Sequence, residues 1–419
     1  MFLMVSTVTA LCQKAGQPEE PGPDACQYSD QVYDADASLM LQPQAPTHFR
    51  LMVSRYVSMV QAARGYRCTG TVTVGFDGHH YLQTGRSDDS GMMELIPAVS
   101  RFTGMSLGDS YDITIFLVIT SGILIGYRGF WHLYRVGRLR WIGAAVFLCL
   151  GIAEARVADE YMFQISPLVA GIPWLLHFAL NRKHRALTLS AVLLAFCCSW
   201  GSLVRSGSMI ICLTFLLTMF IARSHLQRPF LALLLILAAC VPSMLFERTL
   251  IARRDAALAT VGETPRAVNS HPFWHTFYIG FGFIPNSEVP EYKDEVAGKK
   301  VLSIDPTAAY TSAKYQAILK HELWSIFKRR PFLIIGILAA KAGIVILLAS
   351  ILLYPARRLI FAERPVRWLD AAFLLTIGMS AMNGIVAVPR ASYLLTFLCL
   401  AFLYTAIKLC RDNRALASG

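Results

Sequence analysis

Apolar residues along this chain come in unbroken runs of membrane length rather than at the spacing of amphipathic surface helices. The runs predict helices at about 111 to 127, 140 to 153, 162 to 180, 186 to 203, 208 to 222, 229 to 246, 332 to 354, 368 to 387 and 391 to 409. Some of them are shorter than the roughly 20 residues of a perpendicular span, so the bundle is expected to be irregular. Met1 to Cys12 is apolar but too short to span unaided. It reads as the remnant of a first transmembrane helix starting upstream, or as a weak signal segment without a basic front end. The expected fold is an all-α polytopic membrane protein with about nine to ten transmembrane helices, extracytoplasmic amphipathic helices and long loops.

The polar segments between the runs alternate in charge. One set carries Arg128, Arg135, Arg138 and Arg140, then Arg182, Lys183 and Arg185, then Arg223 and Arg228, then Arg357, Arg358, Arg364 and Arg367, then Lys408, Arg411 and Arg414. Basic residues in short loops mark the cytoplasmic side. The opposite side receives the long segment 13 to 110, the loop with Glu154, Asp159 and Glu160, the turn at Arg205, the segment 247 to 331, and the turn at Pro389 and Arg390. Chemistry, if any, is expected there.

The domain organisation follows. Residues 1 to 12 are the shortened first helix or signal segment, 13 to 110 a first extracytoplasmic loop, and 111 to 246 a transmembrane bundle. Residues 247 to 331 form a second extracytoplasmic segment, 332 to 410 the C-terminal transmembrane helices and 411 to 419 a cytoplasmic tail. In the first loop, Gln17 to Asp24 is rich in Pro, Glu and Gly and reads as irregular. Met52, Tyr56, Met59, Val60 and Ala63 recur at helical spacing and predict an amphipathic helix on the membrane surface. Val72, Val74 and Phe76 alternate like a short strand leading into Asp77, Gly78, His79 and His80. In the second segment, Tyr315, Ile318, Leu319, Leu323, Ile326 and Phe327 form an apolar stripe beside Lys314, Lys320, Lys328, Arg329 and Arg330. That stripe predicts an interfacial helix feeding the span after Pro331. No internal repeat is visible, which argues slightly against an inverted-repeat transporter.

Composition agrees with the bilayer: 55% of residues are hydrophobic and 16% charged. The formal charge of +12 would suit nucleic acid, but the basic residues sit in short loops where membrane topology explains them, so nucleic-acid binding is excluded as a function class. Cys149, Cys197, Cys198, Cys212, Cys240 and Cys399 lie within apolar runs, where a thiol behaves as a small hydrophobe, and show no zinc spacing. Cys26 and Cys68 both sit in the first external segment, where an oxidising compartment would allow a disulfide between them.

Candidate chemistry lies in four places. Arg86, Ser87, Asp88, Asp89, Ser90 and Gly91 precede Glu94 and a short apolar stretch. The two carboxylates serve as a helix cap and dipole partner, or one of them takes a proton from an acceptor hydroxyl while the other orients it or binds a cation. Adjacent residues seldom point the same way, so one base is expected, Asp88 first and Asp89 second, with Glu94 nearby as a substrate contact. The loop from Glu154 to Tyr161 is either solvated polar loop or a second acidic site, with Asp159 facing Asp88 across a cavity and holding metal or sugar hydroxyls.

Cations come third. Arg205 occupies a tight turn, Arg253 and Arg254 follow a span, and Arg390 follows Pro389. Lys341 lies about nine residues inside a span, at a rise of roughly 1.5 Å per residue. A charge there costs on the order of 2.5 to 3.5 kcal/mol, a functional signal unless the side chain snorkels to the headgroups. Such a lysine suits the phosphate of a lipid carrier, and Arg205 and Arg390 add bidentate geometry for the same phosphate. The fourth place is the stretch from His271 to Phe283, where His271, Trp274, His275 and Tyr278 either belong to an interface belt or stack on and donate to a sugar phosphate. A zinc site from His79, His80, His271, His275 and Asp77 is only weakly supported.

In layout, the chain resembles the C-type (GT-C) membrane glycosyltransferases, which use polyprenyl-phosphate-linked sugars on the extracytoplasmic face. The likeness rests on a long first external loop with an amphipathic helix and acids at Asp88 and Asp89, an acidic second loop at Asp159, a late external segment feeding an interfacial helix, and about ten spans. The stretch His271 to Phe283 with Lys341 after it also fits that group; the shortened first span departs from it, and no large soluble C-terminal domain follows. The resemblance implies inverting transfer, in which Asp88 or Asp89 deprotonates an acceptor hydroxyl and cationic groups, with a divalent metal as a further option, stabilise the departing lipid phosphate. It implies a polyprenyl-phosphate-linked sugar and a glycan, lipid or protein acceptor as partners, in a bacterial inner membrane with the active site facing the periplasm. Two alternatives stand beside it. One is a transporter or flippase of a lipid-linked saccharide, which requires a polar path through the bundle. The other is an O-antigen ligase or polymerase type of enzyme, which relies on late-loop His and Arg residues and leaves Asp88 dispensable.

Overall fold

The computed structural model describes residues 53–69, 71, 74–76, 81–83, 90–134, 137–222, 229–263, 273–362 and 367–417. Asp88, Asp89, His271, His79, His80, Asp77, Cys26 and the apolar stretch from Met1 to Cys12 lie outside these residues, as does the side chain of Cys68. Before the bundle come α1 (Val53–Thr69), a hairpin of β1 (Val74–Phe76) and β2 (Tyr81–Gln83), and α2 (Ser90–Thr103). The bundle begins with α3 (Leu107–Leu133), α4 (Gly137–Val157), α5 (Met162–Leu180), α6 (His184–Val204), α7 (Ser208–Ala222), α8 (Pro229–Ala238) and α9 (Val241–Thr260). A compact segment external to the apolar bundle holds α10 (Phe273–Gly280), α11 (Asp294–Ile304) and α12 (Ala313–Arg329). The chain then returns through α13 (Pro331–Leu353), α14 (Arg367–Val386) and α15 (Ala391–Ala417).

A helix is found at each of the nine predicted positions, yet among the described residues seven are long and apolar enough to cross a membrane: α3, α5, α6, the α8–α9 pair, α13, α14 and α15. The expected count of nine to ten is therefore too high on these criteria. Helix α4 carries Arg138, Arg140, Glu154 and Arg156, which dilute its apolar stretch. Helix α7 has 15 residues, about 22 Å at the α-helical rise, against a hydrocarbon core of about 30 Å. The α8–α9 run breaks at Ala239 and Cys240, where Pro242 sits in the first turn of α9 and donates no backbone hydrogen bond to the preceding turn. Large apolar side chains such as Phe230 on α8 and Phe332 on α13 face outward, 78% and 86% exposed. On a soluble protein such faces would aggregate; on a polytopic one they meet lipid.

Among the described residues the most extensive helix-to-helix contact is between α3 and α5. Gly122, Gly126 and Gly129 share one face of α3, and a Cβ at Gly126 would come within 2.4 Å of the Val169 carbonyl oxygen and 2.5 Å of the Phe147 ring. Small residues at this spacing let two helix backbones approach closely in a bilayer, where burial of apolar surface gives little drive. The bundle core continues through Leu168, Ile172, Phe215, Phe373 and Tyr404.

Both large polar-side pieces dock at one end of this bundle. The helix expected from Tyr56, Met59, Val60 and Ala63 is α1, but that stripe packs into the bundle core rather than lying bare. The strand expected at Val74 and Phe76 is β1, paired antiparallel with β2 in the register Phe76 to Tyr81. The helix expected after the acidic pair begins at Ser90, and Gly91 lets it rest on the backbone of Leu203 near the end of α6. Segment 273–330 has its own small core of Tyr278, Ile279, Val289, Val301, Tyr315, Leu319 and Leu323, extended by Ile334 and Ile337 of α13. The apolar stripe of α12 thus faces this core, while Trp324 and Phe327 remain exposed.

Candidate functional site

Three tight junctions meet where the segment 273–330 docks on the bundle. Between α4 and α5 the chain turns through Ala158, at φ 38°, and the Asp159 carboxylate accepts from the backbone N–H of Tyr161 at 2.9 Å. That bond satisfies an amide at the helix entry and presents Glu160 and Tyr161 sideways. Between α6 and α7 the turn needs Gly207, at φ +91°. The Ser208 hydroxyl donates to the carbonyl of Arg205 at 3.0 Å. Gly201 makes the two junctions touch, because a Cβ there would sit 2.6 Å from the Phe163 carbonyl oxygen. The third junction, between α14 and α15, carries Pro389, Arg390 and Tyr393.

These turns assemble one continuous cluster. The Arg205 guanidinium lies 4.2 Å from the centre of the Tyr161 ring, donates a hydrogen bond to the Tyr161 hydroxyl and approaches the Glu160 carboxylate at 4.0 Å. The Tyr161 ring meets Tyr393 edge to face, with centroids 5.7 Å apart. The hydroxyls of Tyr393 and Tyr292 are 2.9 Å apart, and the exposed Arg390 guanidinium lies 5.1 Å from the Tyr292 ring centre. Arg205 and Arg390 thus bracket three tyrosines drawn from the turn before α5, from α15 and from the external segment. Burial raises the pKa of Tyr161, against an opposing pull from Arg205, and burial likewise raises that of Tyr292. Both hydroxyls therefore stay protonated at neutral pH and can donate to an anion, but neither serves as a base.

The other candidates divide. Lys341 is fully buried and donates to the carbonyl oxygens of Ala387 at 2.7 Å and Ile385 at 3.2 Å. These carbonyls belong to the end of α14 and the residue after it, where no further turn of helix pairs them, so the ammonium caps a helix C-terminus from a neighbouring helix. The same spot receives Gly280 of the external segment, whose Cβ would fall 3.0 Å from the lysine nitrogen. Two N–H groups of Lys341 are thus committed to holding the 385–388 turn beside the external segment.

His275 and Tyr278 point into the core of that segment. His275 pairs with Asp294 at 3.1 Å and with the Tyr315 hydroxyl at 2.8 Å, joining α10, α11 and α12. Tyr278 is 1% exposed, and burial raises its hydroxyl pKa to about 12. Neither ring offers a free face to a sugar. Trp274 is half-buried, with the Lys320 ammonium 5.5 Å from its ring centre. Glu94 is half-buried on α2, and burial pushes its pKa up to about 7 against the charges of Arg101 and Arg253. The structure therefore brings Asp159, Arg205 and Arg390 to one place and leaves Trp274, His275, Tyr278 and Lys341 in the adjoining framework. Among the described residues no three His, Cys, Asp or Glu side chains converge as a metal cage.

Sequence reasoning passed over Tyr292 and Tyr393 as site members and took Tyr161 only as the end of the acidic loop. The signal was present for Tyr393, three residues after Arg390 and hence on the same face of the helix entry. No family model, curated protein or solved structure matches the chain.

Proposed function

We propose that this chain is a membrane glycosyltransferase that moves a saccharide from a polyprenyl-phosphate-linked donor to an acceptor hydroxyl, with Arg205 and Arg390 as the phosphate-holding pair. The observation that carries this reading is the Arg205–Tyr161–Tyr393–Tyr292–Arg390 cluster. It gathers two guanidiniums and protonated phenols at one end of an apolar bundle, where the phosphate of a bilayer-embedded lipid would lie. In the reaction, the acceptor oxygen attacks the anomeric carbon and the bond from that carbon to the phosphate oxygen breaks. The phosphate leaves with the electron pair, and the arginines stabilise its added charge. The hydroxyl proton passes to a carboxylate, for which Asp88 and Asp89 remain the first candidates. In this reading α4 and α7 also cross the bilayer, the basic loops face the cytoplasm, and the cluster faces the periplasm.

One observation favours the ligase or polymerase form of this chemistry. The late external segment supplies Tyr292 to the cluster directly, so that segment and the arginines form the site together. The transporter reading has less support. Two fully buried charged groups, Lys341 within α13 and Asp370 near the start of α14, are committed to helix carbonyls and to Lys408 respectively.

The test is a transfer assay with the purified full chain, a panel of radiolabelled polyprenyl-phosphate sugars, and membrane extract as acceptor. Arg205→Ala and Arg390→Ala should each slow transfer by roughly 10²-fold or more, the usual effect of removing a transition-state charge contact. Asp88→Asn and Asp89→Asn, run alongside, locate the base: loss in one names it, and full activity in both favours the ligase or polymerase form. Unchanged transfer in both arginine variants would sink the proposal. Passage of intact lipid-linked sugar across the bilayer, without transfer, would replace it with the transporter.

A further inference from the structure

One polar side chain beneath the arginine cluster has unmet hydrogen-bonding capacity. Gln164 is fully buried, and among the described residues neither its carboxamide nitrogen nor its oxygen has a hydrogen-bond partner. It lies one turn inward of Glu160 and Tyr161 on α5, on the side that meets the α6–α7 turn. Its amide nitrogen is 3.5 Å from where a Cβ on Gly207 would stand. The carboxamide thus forms part of the floor under the turn that carries Arg205.

An amide buried without partners carries a desolvation penalty for each unmet group, which apolar residues of similar size avoid. Its neighbours Met162, Phe163 and Ile165 are apolar, so leucine or methionine would fit the local pattern. The partner must both accept from the N–H and donate to the carbonyl oxygen. A fully ionised phosphate only accepts, whereas a hydroxyl does both.

We propose that Gln164 is a specificity-determining residue, its carboxamide exchanging hydrogen bonds with a hydroxyl of the sugar carried into the Arg205 site. This rests on the glycosyltransferase reading. It deepens that reading by dividing the labour, with the arginines holding phosphate and Gln164 recognising the sugar beside it. A site built to hydrogen-bond a hydroxyl discriminates strongly against a ligand that lacks it, because its own buried polar groups are then left unpaired.

The experiment measures binding of two lipids to the full chain in detergent: polyprenyl phosphate without sugar, and the same lipid bearing each of a panel of hexoses and pentoses. The readout is the ratio of the two dissociation constants in one sample, which does not depend on the folded fraction. Native protein should prefer at least one sugar-bearing lipid, and Gln164→Leu should lose that preference by about tenfold or more, equivalent to about 1.4 kcal/mol. Binding of the sugar-free lipid should stay within about twofold, because the arginines are untouched. Gln164→Met, which keeps the length of the side chain, should behave like Gln164→Leu. An unchanged ratio in both variants would mean that Gln164 is satisfied by buried water, overturning this inference alone. If native protein binds neither lipid, the glycosyltransferase reading falls, and the role of Gln164 falls with it.

Discussion

The hydroxyls of Tyr292 and Tyr393 approach to 2.9 Å although 101 residues separate them in the chain. This contact fixes the external segment against the mouth of the bundle and places Arg390 beside Tyr292. Tyr292→Phe and Tyr393→Phe should each lower stability by about 0.5 to 1.5 kcal/mol, the net worth of one hydrogen bond. The double variant should be little worse than either single one, since both remove the same bond. Thermal unfolding of all three in one detergent checks this, and strictly additive losses would mean the two hydroxyls work independently.

Lys341 changes its meaning once the structure is known. Its depth in an apolar run made it a phosphate ligand in the sequence, and weaker donor binding in Lys341→Met would follow. Its bonds to Ala387 and Ile385 assign it instead to the end of α14. Lys341→Met should therefore lower stability by about 2 kcal/mol or more, through two carbonyls left unmet. Donor affinity of the folded fraction should stay within about threefold, less than 1 kcal/mol. Native-like melting combined with tenfold weaker lipid binding, about 1.4 kcal/mol, would restore the phosphate role.

The helices were legible because a bilayer forces long apolar runs to satisfy their own backbone, so hydropathy alone locates them. The two helices that fail the crossing criteria, α4 and α7, are those where charge or length departs from that rule. The site was legible only in part. Arg205 and Arg390 announced themselves as cations in turns beside apolar runs. Their connection through Tyr161, Tyr393 and Tyr292 depends on how the turns pack, which Gly201 and Gly282 permit by close backbone approach. His275 and Tyr278 misled for a related reason: an aromatic, glycine-rich stretch looks alike whether its rings face a ligand or its own small core. The core of segment 273–330 comes from residues spread over some 60 positions, beyond the reach of local periodicity.

Glu94 gives the chain a pH response. Its carboxyl titrates near 7 when folded, because burial outweighs the pull of Arg101 and Arg253, against 4.5 for the free group. Between those values the folded state binds more protons than the unfolded one. The contribution of Glu94 to stability is thus fully present below pH 4.5 and is lost as pH rises through about 7. Glu94→Gln, which mimics the protonated form, should raise the thermal midpoint at pH 8 and leave it nearly unchanged at pH 4. A gain of equal size at both pH values would show that this carboxyl does not carry the effect.

At the opposite end of the bundle, Asp370 and Lys408 form a buried ion pair, with N–O separations of 3.1 and 3.4 Å. The carboxylate also accepts from the Tyr404 hydroxyl at 2.7 Å and from the Phe361 backbone N–H at 2.9 Å. Every oxygen of Asp370 is thus engaged, and the pair joins α14, α15 and the loop between α13 and α14. Removing one member leaves the other charge without its counter-ion in a dry site, a loss of about 3 to 5 kcal/mol. Asp370→Asn should therefore be strongly destabilising. The combination of Asp370→Leu with Lys408→Met removes both charges and should recover most of that loss, because a well-packed apolar pair replaces an ion pair at little net cost. Expression level and thermal midpoint in detergent report both variants. A double variant as unstable as Asp370→Asn would show that the bonds to Tyr404 and Phe361, rather than the charge on Lys408, make Asp370 necessary.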